Sequence, residues 1–395
     1  MSGGISGGIS GGISGGISGG ISGGISGGIS GGISGGISGG ISGGISGGIS
    51  GGISGGISGG ISGSIVSADA LILSRAAIVG PFIGANLHVN EPTFDKPANL
   101  ALWTDGPRIE ACFTELVEGL LFKTRSGPKE ATLEFANLQA GNIQRKPLVK
   151  LRAPTKPQFK KQLDLTAAYA DLRADRAAEI VAQMGLPVAF WSSLVGLTAH
   201  RHKKTLQLLD LMFTLCVHVE MRFKHIFASL RPVALSPQIQ PMIETPGHGS
   251  WPSGHAAEAF AFAVLLEALL NAAATTSGTP NGTESREQLQ RLAARIATNR
   301  VVAGVHFPVD SAAGRLLGTA LAEFLVARAT GTKVHERGFD GRLFEGPHGE
   351  PLDFNLHESM DHTSGHAYTR SAGTTGVGNA PLVAWLWGEA VKEWA

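Results

Sequence analysis

The sequence predicts a mainly α protein: a helical bundle preceded by a disordered Gly-Gly-Ile-Ser repeat. Three observations carry that expectation. Apolar residues recur at helical spacing in several long segments after residue 161. Gly and Pro punctuate the gaps between those segments. Residues 1–64 are a four-residue repeat whose glycine content makes ordering costly.

Taken in order, the chain reads as four regions. Residues 1–64 are the low-complexity repeat, broken at Ser64. As a strand it would place Ile and Gly on one face, Ser and Gly on the other, but as an isolated segment it is read as disordered. Residues 65–160 are an N-terminal region of mixed short elements. It has β-prone pieces such as "ALILSRAAIVG", a helix near 107–123, then Pro- and Lys-containing loops. Residues 161–334 form the helical domain. "LTAAYADLRADRAAEIVAQMG" ends at Gly185, with Pro187 behind it, a C-terminal helix signal. A helix over about 200–230 places Leu208, Leu211, Met212, Leu215, Val219, Phe223, Ile226 and Leu230 at helical spacing, and Pro232 stops it. Further helices are expected over 255–274, 285–299 and 308–329. Residues 335–395 are a Gly- and His-rich C-terminal extension closing on "APLVAWLWGEAVKEWA".

Bulk properties exclude several classes. A net charge of +1 argues against electrostatic binding of nucleic acid. The two cysteines, Cys112 and Cys216, give no disulfide framework, and Cys216 in its apolar run reads as a buried free thiol. The most apolar run carries Glu258 and Glu267, so no membrane span is expected. No leader of basic start and apolar core is seen, and the expected location is cytoplasmic. The sequence leaves the oligomeric state open. His357, His362 and His366, with Glu358 and Asp361, fit no firm zinc spacing and predict a polar loop.

The chemistry concentrates around "PGHGSWPSGHA", residues 246–256. Its glycines and prolines make a constrained loop that delivers Ser253, Gly254 and His255 to a helix N-terminus, where backbone N–H groups favour an anion. Lys224 and Arg231 are seven apart, two helical turns, and so are expected on one face near a helix end. Arg300 precedes His306 by six residues, and Asp310 follows four later. Pro308 suits a first helical turn, from which Asp310 can reach back and hold the His306 ring in one tautomer.

Lys224-x6-Arg231-Pro232, then Pro252-Ser253-Gly254-His255, then Asn299-Arg300-x5-His306-x3-Asp310, resemble the type 2 phosphatidic acid phosphatases and vanadium-dependent haloperoxidases, a superfamily sharing one anion site. Asn299 stands where Ser is usual. The resemblance implies that Lys224, Arg231, Arg300, Ser253 and Gly254 surround the oxygens of phosphate or vanadate. It implies that His306 attacks phosphorus or binds the vanadium of vanadate, that Asp310 orients it, and that His255 is acid and base. His248, five residues before Ser253, is similar to a residue bordering the halide region in bromide-oxidising members.

Three functions follow. The first is a vanadate-dependent haloperoxidase oxidising bromide or iodide with hydrogen peroxide. The alternative is a phosphomonoester hydrolase of the soluble acid-phosphatase type, with a phosphohistidine at His306 and no cofactor. The third is a non-enzymatic anion-binding relic. Phe307-Pro308 after His306 is closer to many phosphatases, and His248 favours the peroxidase.

Overall fold

The computed structural model describes residues 65–81, 91–127, 129–139, 142–185, 187–277 and 282–394. The repeat, and the disorder expected of it, lie outside the described residues. The described residues divide into two units, 65–81 and 91 with 103–110, and 92–102 with the described residues from 111 onward. In the first unit, α1 (Ile65–Ile78) replaces the β-prone pieces expected there. Its Ala and Leu residues are good helix formers, and they outweigh the scattered Ile and Val.

After α2 (Asp105–Val117) come β1 (Leu120–Arg125), β2 (Glu130–Gln139) and β3 (Asn142–Arg152), an antiparallel meander. The sequence reading had helix and loops over this stretch. Two-residue alternation is weak here, and Pro147 and several lysines mask it. The helices follow as α3 (Lys156–Ala168), α4 (Arg173–Ala182), α5 (Val188–Val195), α6 (Lys203–Phe227), α7 (Pro232–Leu235), α8 (Gly254–Ser277), α9 (Gly282–Val302) and α10 (Pro308–Thr330). The long helix expected to end at Gly185 is therefore split, with a 3-10 turn over Tyr169–Leu172 between α3 and α4. The C-terminal extension holds two strands and a helix. β4 (Lys333–Asp340) runs parallel to β3, β5 (Tyr368–Gly376) pairs antiparallel with β4, and α11 (Pro381–Lys392) closes the chain. The result is a mainly helical unit with one five-stranded sheet in the order β1-β2-β3-β4-β5.

The sheet backs onto the helices through aromatic contacts. Phe122 of β1 meets Phe223 of α6, and Phe135 of β2 meets Phe324 of α10, with ring centroids 5.2 and 5.7 Å apart. α8 and α10 lie at the centre, and nearly every residue of α10 is buried. They approach closely because Gly314 and Gly318 face Ser253 and Ala257. A Cβ on Gly318 would stand 2.0 Å from the Ala257 carbonyl oxygen, and one on Gly314 would stand 2.6 Å from that of Ser253. Acidic side chains satisfy two helix N-termini. Glu115 accepts from the N–H groups of Leu382 and Val383 in α11, and Glu393 accepts from those of Lys204 and Thr205 in α6. Both cysteines are free and buried. Among the described residues one segment, Gly254–Thr275, is long and apolar enough to cross a membrane by length and composition, and 61% of its apolar window is buried inside the fold.

Candidate functional site

Two loops meet at the N-terminal ends of α8 and α10. The first precedes α8. Its Trp251 is fully buried between Phe227, at the end of α6, and Phe339 of β4. The Ser250 N–H donates to the Ser229 carbonyl at 2.9 Å, and the Ser253 N–H donates to the Asp310 carbonyl at 3.0 Å. The loop is thus stitched to the chain after α6 and to the first turn of α10. Ser253 opens α8, its hydroxyl accepting from the Ala256 N–H at 3.4 Å. Gly254 is the first residue of the helix, in the turn whose N–H groups lack intrahelical acceptors.

The second loop carries His306. Pro308 takes the first position of α10, so His306 lies just outside the helix and Asp310 within its first turn. Asp310 Oδ2 receives the Phe307 N–H at 3.1 Å, lies 2.8 Å from His306 Nδ1, and accepts from the Ser250 hydroxyl. With Nδ1–H donating to Asp310, the lone pair of His306 is on Nε2. Arg231 points there, its Nη1 standing 3.0 Å from Nε2. Burial, reinforced by Arg231 and Lys224, holds His306 well below the usual histidine range, so the ring is neutral. Burial also raises Asp310 to about 6, against the hydrogen bonds from Ser250 and Phe307.

The three cations arrive from different elements. α6 ends at Phe227, where Ala228 turns the chain at φ 46°. Lys224 and Arg231 therefore do not share a helical face, which corrects the two-turn spacing argument. Pro232 does not stop α6 but begins α7. Both side chains still reach the same place. Lys224 Nζ, buried, donates to the Pro252 carbonyl at 2.6 Å and lies 3.4 Å from that of Gly249. Arg231 donates from Nε to the His248 carbonyl at 3.1 Å and from Nη1 to that of Val305 at 2.7 Å. Arg300 comes from the last turn of α9. It is 1% exposed, and one nitrogen donates to the Ile180 carbonyl at 2.9 Å. Its Nε and Nη1 are buried with no partner among the described residues. Burial lowers Arg300 to about 10, still a cation at neutral pH. Buried cationic donors without acceptors are costly unless a ligand satisfies them, and an oxyanion is such a ligand.

Two histidines flank this group. Burial, with Arg300 next, pushes His255 down to about 3, while the carbonyls of Met184 and Gln183 pull the other way. His255 is therefore a neutral imidazole in the first turn of α8. His248 lies at the exposed rim, its Nδ1 3.2 Å from Arg231 Nη2. Asn299 donates to the Gln183 side chain at 2.9 Å and accepts from Arg176 at 3.2 Å.

Sequence reasoning missed three residues of this neighbourhood. Ser250 sits inside the quoted loop, but no spacing singles it out as an Asp310 partner. Glu220, buried, and Glu258, half-buried, lie near Lys224; the sequence singles out neither for the site. The only signal for them was a carboxylate one turn from a motif residue in each case: Glu220 before Lys224, Glu258 after Gly254. His357 and its neighbours lie in the connection between β4 and β5, where His362 and His366 stack at 3.7 Å between centroids.

Residues 206–334 match the family model described as the PAP2 superfamily. The matched segment runs from α6 to the start of β4 and contains every motif residue described above. No curated protein matches the chain.

Proposed function

We propose that this chain, whose residues 206–334 match the PAP2 superfamily model, is a vanadate-dependent haloperoxidase oxidising bromide or iodide with hydrogen peroxide. The observation that carries the reading is the Arg231 bridge, which touches neutral His306 at Nε2 and the rim residue His248 at Nδ1. One side chain thereby links the anion pocket to an imidazole at its mouth.

The residues fit an oxyanion such as vanadate. Arg300 has two buried donors to give, Lys224 and Arg231 add two more positive side chains, and the α8 N-terminus adds Ser253 and Gly254. Vanadate, when bound, would supply the activation of peroxide towards a halide. The chain's own residues do the rest. Lys224, Arg231 and Arg300 neutralise the oxygens in a water-poor site, where such interactions are strong. His306 offers the Nε2 lone pair, and Asp310 fixes the tautomer that exposes it. His255, neutral because it is buried, can accept a proton from peroxide. His248 stands at the rim, where a halide would enter.

The phosphatase reading keeps one specific support. A neutral imidazole backed by a carboxylate is also a nucleophile for phosphorus, and the same cations would stabilise the transferring phosphoryl group. Paired assays separate the two. Purified protein loaded with vanadate should brominate a dye with peroxide, and His248→Ala should lower that several-fold while vanadate affinity barely changes. Absence of bromination together with vanadate-inhibited release of phosphate from an ester would establish the phosphatase. Neither activity, with intact anion binding, would leave the relic.

A further inference from the structure

Two carboxylates, Glu220 buried and Glu258 half-buried, lie against the cationic pocket, and neither is used in the chemistry above. Glu220 is on α6, one turn before Lys224, and Glu258 is on α8, one turn after Gly254. A Cβ built on Gly254 would stand 2.5 Å from Glu220 Oε1 and 2.8 Å from Oε2. The carboxylate therefore lies against the backbone of the first residue of α8, one of those expected to meet the oxyanion. Glu220 Oε2 is buried and has no hydrogen-bond partner among the described residues. An unsatisfied buried carboxylate beside an anion pocket opposes anion binding when ionised and does not when protonated.

The surrounding charges decide which state holds. On its own helix Glu220 faces Lys224 and lies near the buried thiol of Cys216. From α8 it faces Glu258, and from the α6–α7 connection Arg231. Arg300 acts on Glu258, and Asp310 acts on Lys224. Burial raises both carboxyls and lowers the lysine, while the Lys224 charge pulls Glu220 back down. Glu258 is further raised by Glu220, while Lys224 and Arg300 act against that.

We propose that Glu220 is a positioning residue of the anion site: an oxyanion binds the form in which both carboxyls are protonated beside the Lys224 ammonium, so Glu220 sets the alkaline limit of anion affinity by taking up a proton as the anion enters. The inference rests on the anion-site reading but not on which reaction the site performs. Lys224, Glu220 and Glu258 together carry a single positive charge in the fully protonated form. Loss of one proton leaves them neutral, and loss from Glu220 puts the negative charge against Gly254, on a carboxylate whose Oε2 has no hydrogen-bond partner among the described residues. Glu220→Gln has the same charge as the protonated carboxyl, so Lys224 and Glu258 titrate from that form as before. Only the Glu220 route to the neutral form is removed.

The test is calorimetric titration with inorganic phosphate, a probe independent of any turnover. At about pH 6 the wild type and Glu220→Gln should bind alike. At about pH 8.5 the variant should bind up to ~10-fold more tightly, since a one-unit displacement of a coupled proton equilibrium is a tenfold change in affinity. Wild type at that pH should also take up a proton from buffer on binding, read from two buffers of different ionisation heat, and Glu220→Gln should take up less. Affinity lowered by one common factor at both pH values would make Glu220 merely structural and overturn the proposal. Equal profiles would overturn it too. Should the variant not fold, absence of proton uptake by the wild type at about pH 8.5, where phosphate is already the dianion, would overturn it alone. Failure of the anion-site reading looks different: wild type would not bind phosphate, or Arg231→Ala would bind it as well as wild type does.

Discussion

Gly318→Ala tests the packing that builds the site without touching any site residue. The added Cβ would stand 2.0 Å from the Ala257 carbonyl oxygen and 2.8 Å from its carbon, where ordinary contact needs 3.4 Å or more. Backbone is met on both counts, so no flexible side chain can swing aside. α8 must move away from α10 by more than an ångström, or α10 must bend. Overpacking of this kind costs roughly 1–3 kcal/mol, while replacing a mid-helix glycine by alanine returns about 1 kcal/mol. The net expectation is a loss of up to about 2 kcal/mol, and α8 carries Ser253, Gly254 and His255 with it. Gly388→Ala is the control. Gly388 lies inside α11, with nothing within 4 Å of its Cβ position. There the propensity gain of roughly 0.5–1 kcal/mol stands alone. Urea denaturation of both variants gives the two signs, and phosphate titration gives the effect on the site. Gly318→Ala should be destabilised and bind phosphate more weakly; Gly388→Ala should be stabilised and bind it as wild type does. Stabilisation by both, or a wild-type anion affinity in Gly318→Ala, would refute the claim that this helix crossing positions the site.

Other outcomes follow from named contacts. Arg300→Ala removes two buried unpartnered donors, and at roughly 1.5–3 kcal/mol per charge-assisted bond it should weaken phosphate binding at least ~10-fold in calorimetry. Asp310→Asn removes the charge that holds His306 Nδ1–H, so turnover should fall ~10- to 100-fold in either assay with the helical circular dichroism unchanged. His255 has a depressed folded-state pKa of about 3. Its stabilising contribution is therefore complete above the ordinary value near 6.5 and lost as pH falls from there towards 3, so acid denaturation of His255→Gln should begin at lower pH than that of wild type. Deletion of residues 2–63 should leave turnover nearly unchanged, because the repeat supplies no acid, base or cation; a large loss in the folded truncated chain would contradict this.

The helices and the motif residues were legible in the sequence for a local reason. α8, α9 and α10 each announce themselves by apolar spacing, a preceding Gly or Pro and a following break, all within about twenty residues. The His306–Asp310 contact is equally local, since Pro308 sets the first turn and four residues fix the reach. The β3–β4 join was not legible, because it pairs residues 149–152 with 337–340 and nothing local marks that register, while weak alternation hid the local β1–β3 meander. The short Ala-rich α1 and the break at Ala228 were also hidden, each decided by a few residues whose preferences nearly balance. What the sequence by itself determined was which side chains carry charge and which sit beside a helix start. Only the tertiary structure decided how they meet. Arg231 reaches His306 because α6 stops one turn early, Ser250 reaches Asp310 because a loop is stitched down on both sides, and Glu220 presses on Gly254 because two helices pack where no side chain intervenes. Charge and local turn chemistry are properties of neighbouring residues in the chain. Burial, which makes Glu220 hold a proton and His255 give one up, is a property of the packed whole.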